Sequence, residues 1–486
     1  MGTEILNDAV HEVRARLQGE LVMPEDSDWD VARQAWNLAA DQRPSAVALP
    51  ETAADVVEIV RFARAHGYRV AAQGTGHNAL PLGDLEGTVL VKLARMRGVE
   101  IDPDERIARV QAGALWQEVT DEAVRHGLVG LAGSSPDVGV VGYSLGGGIS
   151  WLARKHGFSA NSVVAIELVT ANGRHVRTDA QNEPELFWAL RGGGGSFGVV
   201  TAVEIKLYPV AEVYAGWLIF PQERGREVLT AWREWVDTVP EEVTSVGRYL
   251  NIPTLPDIPE EFRGASIVVV EAAMLLDEAE GAKLLEPLRA LGPVGDTFAV
   301  MPAGMLSKLH MDPEAPVPGK GDGTLLADVT PETIAALDAA AGAESGSTLL
   351  SVEVRHLGGA IGRSAPEHGA VDRFDARFVM FAVGLAPTAE LMAVTERDVR
   401  FVLDSLEPWY AGQTYLNFTE SKVHSRSHYR PETHRRLRRV KAMYDPQDII
   451  RSNHPIEPLK PPAQKRQRPQ LRRLPRSMPS RVVVDD

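Results

Sequence analysis

The chain contains no cysteine. That absence excludes disulfides, thiolate nucleophiles, iron–sulfur ligation and cysteine-based zinc sites together, and it fits a cytoplasmic protein. No apolar run is long enough to span a bilayer as a helix, so no membrane partner is expected. The start, Met1-Gly2-Thr3-Glu4, lacks the basic and then apolar stretches of a secretory signal. Positive charge is also short: 51 Lys and Arg stand against 66 Asp and Glu in 486 residues, a net charge of -15. Phosphate neutralisation needs clustered basic side chains, so the charge argues against a nucleic-acid partner. One segment runs against that balance. Lys460, Lys465, Arg466, Arg468, Arg472, Arg473, Arg476 and Arg481 are interspersed with Pro461, Pro462, Pro469, Pro475 and Pro479, which predicts a disordered, solvated tail over 459–486.

What the chain does have is alternating strand and helix signals as far as Pro209. Ala46-Leu49 reads as a strand, and Thr52 with Asp55 three residues on forms a capping box. Val56, Ile59, Val60 and Ala63 recur at helical spacing until Gly67 ends the helix. Further strands are predicted at Tyr68-Ala72, Thr88-Leu93 and Ile107-Gln111, a helix over Ala114-Arg125, and a hairpin of Val163-Thr170 with His175-Thr178 turned by Ala171-Asn172-Gly173. Pro184-Leu190 is a short helix and Val199-Leu207 a strand. From about 211 to 405, strands (Trp217-Phe220, Ser266-Ala273, Leu349-His356, Arg377-Val383) alternate with amphipathic helices, which suggests an α+β region with an antiparallel sheet. The Pro- and Gly-rich stretch Asp312-Gly323 reads as a loop within it.

Three glycine-dense loops interrupt the first half: Gly74-Thr75-Gly76-His77-Asn78, the run from Gly133 through Gly148, and Gly192 to Gly198. Consecutive bare backbone N–H groups form anion-binding concavities, and a dinucleotide offers several loops a grip at once. A P-loop is excluded because none of these loops ends in Gly-Lys-Ser/Thr. The nicotinamide fingerprint is disfavoured because Gly74-Thr75-Gly76-His77-Asn78-Ala79 lacks its last glycine and runs into Pro81. A rival reading is an esterase. Gly142-Tyr143-Ser144-Leu145-Gly146 matches the G-x-S-x-G elbow, with Ser144 as nucleophile, but the valines and glycines before it make a poor central strand. No metal site is expected: His424, His428 and His434 lie among Arg426, Arg430, Arg435 and Arg436, with Pro431 breaking any common helix.

In this order the loops resemble those of the berberine-bridge-enzyme-like flavoprotein oxidases of the vanillyl-alcohol oxidase superfamily, whose FAD-binding domain is of the p-cresol methylhydroxylase (PCMH) type. The resemblance covers roughly 40–210 and 411–458. It is carried by Gln73-Gly74-Thr75-Gly76-His77, by Pro136-Asp137-Val138-Gly139 through Gly146-Gly147-Gly148, by Phe187-Trp188-Ala189-Leu190-Arg191 continuing through Gly195-Ser196-Phe197-Gly198-Val199-Val200-Thr201, and by Tyr415-Leu416-Asn417-Phe418 with Tyr444-Asp445-Pro446 and Asn453.

The resemblance implies an α+β fold: a two-part FAD-binding domain (1–210 and 411–458) with a substrate domain (211–410) of antiparallel sheet and helices inserted between. It implies FAD gripped by Gln73, Gly74, Thr75, Gly76, His77, Asn78, Pro136, Asp137, Val138, Gly139, Gly142, Tyr143, Gly146, Gly147, Gly148, Gly195, Gly198, Val199, Val200, Asn417 and Asn453. His77 matches the histidine that bonds the flavin 8α-methyl carbon. Many relatives add a second bond from a cysteine whose place Ser135 takes, so the attachment here would be single. The implied reaction is oxidation of a hydroxyl, amine or related C–H centre of a small molecule by hydride transfer to flavin N5, with oxygen as acceptor and peroxide as product. A dehydrogenase with another acceptor is the variant reading.

Tyr415 matches a family active-site tyrosine, acting as a catalytic or substrate-orienting phenol; as a base it would need a lowered pKa, with Arg355 or the flavin loops as the source of that lowering. Glu353, Arg355 and His356 precede Leu357-Gly358-Gly359-Ala360, which resembles a substrate-pocket stretch, and strand alternation puts Glu353 and Arg355 on one face and His356 on the other. Phe418 replaces a tyrosine common in relatives, and a family histidine–arginine pair is missing around Asp372-Arg373-Phe374-Asp375.

Overall fold

After an opening helix, Gly2–Arg16, come short apolar strands, three of which stack in parallel. In the computed structural model, which describes residues 2–254 and 260–460, Glu20–Val22 (β1), Ala46–Leu49 (β2), Arg69–Gln73 (β3) and Thr88–Lys92 (β4) form a sheet of order β1-β2-β4-β3. β2, β4 and β3 are parallel, and β1 closes one edge antiparallel. The helix Ala53–Ala65 starts at the Thr52–Asp55 capping box and buries Val56, Ile59, Val60 and Ala63 against this sheet. Burying each such side chain contributes roughly 1.5–3 kcal/mol for the larger ones.

A second sheet follows, wholly antiparallel: Val99–Asp102 (β5), Ile107–Gln111 (β6), Val163–Val169 (β7), His175–Asp179 (β8) and Val199–Lys206 (β9), in the order β5-β6-β9-β7-β8. One hydrophobic cluster runs through both sheets, joining Val70, Val89 and Val91 to Ala108, Val110, Ile166, Leu168 and Phe197.

The middle of the chain builds an eight-stranded sheet from Glu212–Pro221 (β10), Val243–Asn251 (β11), Ser266–Met274 (β12), Gly295–Asp296 (β13), Ala299–Pro302 (β14), Gly319–Leu326 (β15), Ser351–His356 (β16) and Phe378–Leu385 (β17). Its order is β13-β10-β12-β11-β16-β17-β15, with β14 on β10, and every pairing is antiparallel. Val268, Val270, Val352, Val354, Phe378 and Met380 point to the helices on one face. The alternate residues face the other way: Val269 clusters with Trp151 and Leu152, and Val379 with Phe158, Phe374 and Tyr415. The chain then returns. Ile450–Arg451 (β18) adds a parallel fifth strand beside β3, so the first sheet is made from both ends of the sequence.

One expectation is corrected. Asp312–Gly323 is not a continuous loop, because Gly319, Gly321 and Gly323 alternate along β15 and Phe381 packs against the bare strand at Gly321. The expected tail beyond 460 lies outside the described residues. Among the described residues no helix is long and apolar enough to cross a membrane.

Candidate active site

Strand β3 delivers Gln73 into the first glycine loop at the carboxyl end of the parallel strands, where open α/β sheets place their ligands. Gly76 turns the chain with φ +92, a value L side chains avoid, and so presents His77 sideways. Trp36 N donates to Thr75 O (3.0 Å) and Asn37 N to Gly76 O (3.3 Å), clamping the loop. The Trp36 indole stacks on the His77 ring with centroids 3.8 Å apart.

The second loop meets the first at Asp137. Its Oδ1 lies 3.3 Å from His77 Nε2 and accepts from Ser135 Oγ at 2.8 Å, while Trp36 Nε1 donates to Oδ2. Burial alone would raise the Asp137 carboxyl; the donors from His77, Ser135 and Trp36 win and hold it below the usual carboxylate range. The backbone of this loop is fastened from behind, with Gln117 N donating to Pro136 O (2.9 Å) and Trp116 N to Val138 O (3.0 Å).

The closing segment seals the groove. Asn78 Nδ2 donates to Leu416 O (3.4 Å) and Thr419 O (3.2 Å), and Asn453 Nδ2 to Asn78 O (3.4 Å). Asn417 Nδ2 donates to Tyr143 O and to Tyr415 Oη, both at 3.0 Å, and a Cβ on Gly146 would collide with Asn417 Oδ1. Gly194 N donates to Leu145 O, and Ser196 Oγ shares a hydrogen bond with Ser452 Oγ at 2.8 Å. Two observations fit this groove to a dinucleotide. The Gln73 amide, Asn78 Oδ1 and the Tyr143 hydroxyl are buried there without a protein partner, which is costly unless a ligand supplies one. A Cβ on Gly74, Gly139 or Gly195 would meet nothing closer than 3.7 Å, and on Gly142 nothing within 4 Å, so bare backbone borders the groove in three loops. Gly198, Val199 and Val200 stand apart from it: Val199 and Val200 are core residues, and Gly198 packs against Leu168 and Val169.

Across the groove stands the sheet. Register sets Arg248 of β11 opposite Glu353 of β16, and Val246 between Glu271 and Arg355. Glu271 and Glu353 hold the His310 imidazole between them, Nδ1 to Glu271 Oε2 at 2.5 Å and Nε2 to Glu353 Oε2 at 2.7 Å. Arg248 lies 2.7 Å from Glu271 Oε1, and Arg355 Nε donates to Glu353 Oε1 at 2.7 Å. Burial and Arg248 push His310 down, but Glu271, Asp312 and Glu353 outweigh them and raise it to about 9. Glu353, despite burial, is held well below the usual carboxylate range by Arg355 and His310.

Arg355 Nη2 donates to Ser134 Oγ at 3.3 Å in the second glycine loop, and Ser134 Oγ donates to Asp312 Oδ2 at 3.1 Å. The Arg355 guanidinium sits 5.1 Å over the Phe418 ring, and its Nη1 donates to no protein atom among the described residues. His356 faces the other way, beside Phe378, and burial pushes it down to about 3.

Tyr415 is buried, and its Oη accepts from Gly148 N and Asn417 Nδ2, both at 3.0 Å. A lowered phenol pKa was the condition for a base here, and the reverse holds. Burial raises it well above the ordinary value, and the two donors and Arg355 offset only part of that. Ser144 is not on a nucleophile elbow. It lies within the short helix Val140–Leu145, follows no strand and is buried, and its hydroxyl shares a hydrogen bond with Ser159 Oγ at 3.0 Å.

Sequence reasoning missed Trp36, Arg248, Glu271 and His310. Glu271 carried a signal, as a lone acid in the apolar run Ile267–Met274, whereas nothing in the spacing of Trp36 or His310 marked them. Among the described residues no group of three or more His, Asp or Glu could hold a metal ion.

Comparison with known proteins agrees with this geometry. The family described as FAD binding domain matches residues 44–179. The (R)-6-hydroxynicotine oxidase of Paenarthrobacter nicotinovorans is 29% identical over 468 residues, covering 91% of this chain and 97% of that protein. The crystal structure of 6-hydroxy-D-nicotine oxidase from Arthrobacter nicotinovorans superposes with a TM-score of 0.77 at 26% identity, over 89% of this chain and 96% of that one. A glucooligosaccharide oxidase from Acremonium strictum, with 6-S-cysteinyl, 8α-N1-histidyl FAD, shares the fold at 21% identity and a TM-score of 0.77, over 93% and 99% of the two chains. With its glycine-rich loops, its antiparallel sheet and its returning carboxyl-terminal segment, this chain is similar over about nine-tenths of its length to FAD-linked oxidases, and its cofactor is FAD.

Proposed function

We propose that the chain oxidises a hydroxyl, amine or related C–H centre of a small organic molecule bound between the flavin loops and the antiparallel sheet, with dioxygen as acceptor and hydrogen peroxide as product. The observation that carries this is that the His77 loop, the buried Tyr415 hydroxyl and the uncommitted Nη1 of Arg355 are joined through the 415–419 segment. In this reading residues 1–210 with 411–458 hold FAD and 211–410 cover the substrate. FAD, when bound, supplies the hydride acceptor.

The chain's own groups then have distinct tasks. Tyr415, held protonated by burial, offers a hydrogen bond to the substrate heteroatom instead of removing its proton. Arg355 offers Nη1 to the same region, and Glu353, too acidic to be an effective base near neutrality, fixes the guanidinium through Nε. Preorganised donors of this kind lower the barrier wherever negative charge develops. His77 attaches the cofactor covalently, and by that bond alone: the cysteinyl bond of the Acremonium strictum enzyme has no counterpart in a chain without cysteine. Asn78, Pro136, Gly139, Gly142, Tyr143, Gly147, Asn417 and Asn453 line the remainder of the cofactor groove. A cytoplasmic location belongs to the same proposal, supported by the lack of cysteine and checked by cell fractionation.

The test starts from the absorption spectrum of protein made with ample FAD, before and after acid precipitation. Flavin in the pellet is expected. Anaerobic bleaching by a panel of alcohols and amines, followed by recovery of colour and peroxide on admitting air, identifies the substrate and supports the oxidase. Bleaching without recovery in air would make it a dehydrogenase, and a colourless protein would end the reading.

A further inference from the structure

His77 has two nitrogens, and its surroundings treat them differently. Nε2 faces two acceptors of the same residue, Asp137 Oδ1 at 3.3 Å and Asp137 O at 3.4 Å. Nδ1 has no partner among the described residues. An imidazole whose Nε2–H is claimed by a carboxylate keeps its lone pair on Nδ1. The ring cannot easily rotate to exchange them, since Trp36 stacks on it with an interplanar angle of 21°. We propose that Asp137 is the positioning residue for flavin attachment, presenting His77 Nδ1 as the nucleophile, and that Ser135 serves Asp137. This rests on the covalent reading above.

Asp137 is itself held from two sides. Ser135 Oγ donates to Oδ1 and Trp36 Nε1 to Oδ2, so the carboxylate has little freedom to turn away from His77. Ser135 occupies the place at which many relatives carry the second flavin-bonding residue. Here its hydrogen is spent on Asp137, two residues on, and supports the single bond that remains.

Nδ1 forms one bond to the 8α carbon, one C–H bond there breaks, and Nε2 gives up its proton as the ring is alkylated. Two electrons pass to dioxygen, which leaves with two protons as hydrogen peroxide. Positive charge builds on the imidazole while the bond forms, and an ionised carboxylate 3.3 Å away favours that state. The depressed pKa of Asp137 keeps it ionised near neutrality.

The test compares wild type with Asp137→Ala, Asp137→Asn, Asp137→Glu and Ser135→Ala. Each protein is isolated from riboflavin-limited cells and mixed with FAD, and bound and acid-stable flavin are followed separately. NMR of the flavin peptide released from wild type identifies the bonded nitrogen. Nδ1 is expected. Asp137→Ala should bind FAD yet attach it about a hundredfold or more slowly. Asp137→Asn, which still accepts from Nε2–H but lacks the charge, should fall between, Asp137→Glu should recover much of the rate, and Ser135→Ala should slow attachment mildly. If wild-type flavin is all acid-soluble, the covalent reading itself fails. If wild type is covalent but bonded at Nε2, or if Asp137→Ala attaches flavin at the wild-type rate, only this proposal falls. Should Asp137→Ala bind no FAD, Asp137→Asn decides: wild-type speed there overturns it.

Discussion

Arg248, Glu271, His310, Glu353 and Arg355 meet on the cleft side of the large sheet, the first four of them buried. Two carboxylates around one imidazole make the network sensitive to pH at both ends. The folded pKa of Glu353 is depressed, so its contribution to stability is present above about 4.5 and fades as pH falls below that. That of His310 is raised from 6.5 to about 9, so its contribution is complete below 6.5 and is lost as pH rises through 9. Both are therefore intact between about 4.5 and 6.5, and the shift of His310 corresponds to about 3 kcal/mol. Urea melts across pH 5 to 10 should show stability declining above 6.5 in wild type. His310→Gln should flatten that decline while lowering stability at pH 6 by roughly 3–5 kcal/mol, because both carboxylates lose their shared partner. An unchanged alkaline slope in His310→Gln would remove the imidazolium from the account.

At the scale of elements, what could be read from the sequence depended on whether the cause was local. The Thr52–Asp55 capping box, the end at Gly67 and the hairpin at Ala171-Asn172-Gly173 are set by neighbours in the chain, and the strands and helix there match to within a residue or two. The His77 loop was legible for the same reason. β15 was not, because what makes Gly319–Leu326 a strand lies elsewhere: β17 pairs with it, and Phe381 and Phe418 pack where side chains would otherwise stand. The His310 network was illegible too, since its members come from β11, β12, β16 and the segment before β15, and only sheet register brings them together. Gly321→Val tests this view of β15. Valine favours strands, but its Cβ would meet Phe381 Cζ at 2.5 Å and Ala382 O at 2.9 Å. The clash should cost about 1–3 kcal/mol and shift Phe381 towards Phe418 and Arg355, raising KM more than it lowers kcat. A stabilised protein with unchanged KM would show the glycine to be incidental.

At the scale of the whole molecule, the first sheet is built from both ends of the chain, and one ammonium group is central to that junction. Lys441 is fully buried. Its Nζ donates to Ser196 O (2.8 Å) in the third glycine loop, to Asp445 Oδ2 (2.6 Å) and to Ile450 O (2.9 Å) on β18. Asp445 in turn accepts from Ile449 N (2.9 Å) and Ile450 N (2.8 Å). Lys441→Met keeps the length and apolar stem but leaves a buried carboxylate and two carbonyls short of a donor, at a cost of roughly 3–5 kcal/mol. That loss should not spread evenly, since chains of this size open in parts. Amide exchange should accelerate over residues 431–456 and in β3, the strand that β18 pairs with, while β11, β12 and β16 exchange as in wild type. Asn453 and the 415–419 segment would then loosen around Asn78, so FAD uptake should weaken even though every glycine loop is intact. Uniformly faster exchange across all three sheets would instead mean that the chain melts as one unit, and that Lys441 stabilises the molecule without closing the cofactor groove.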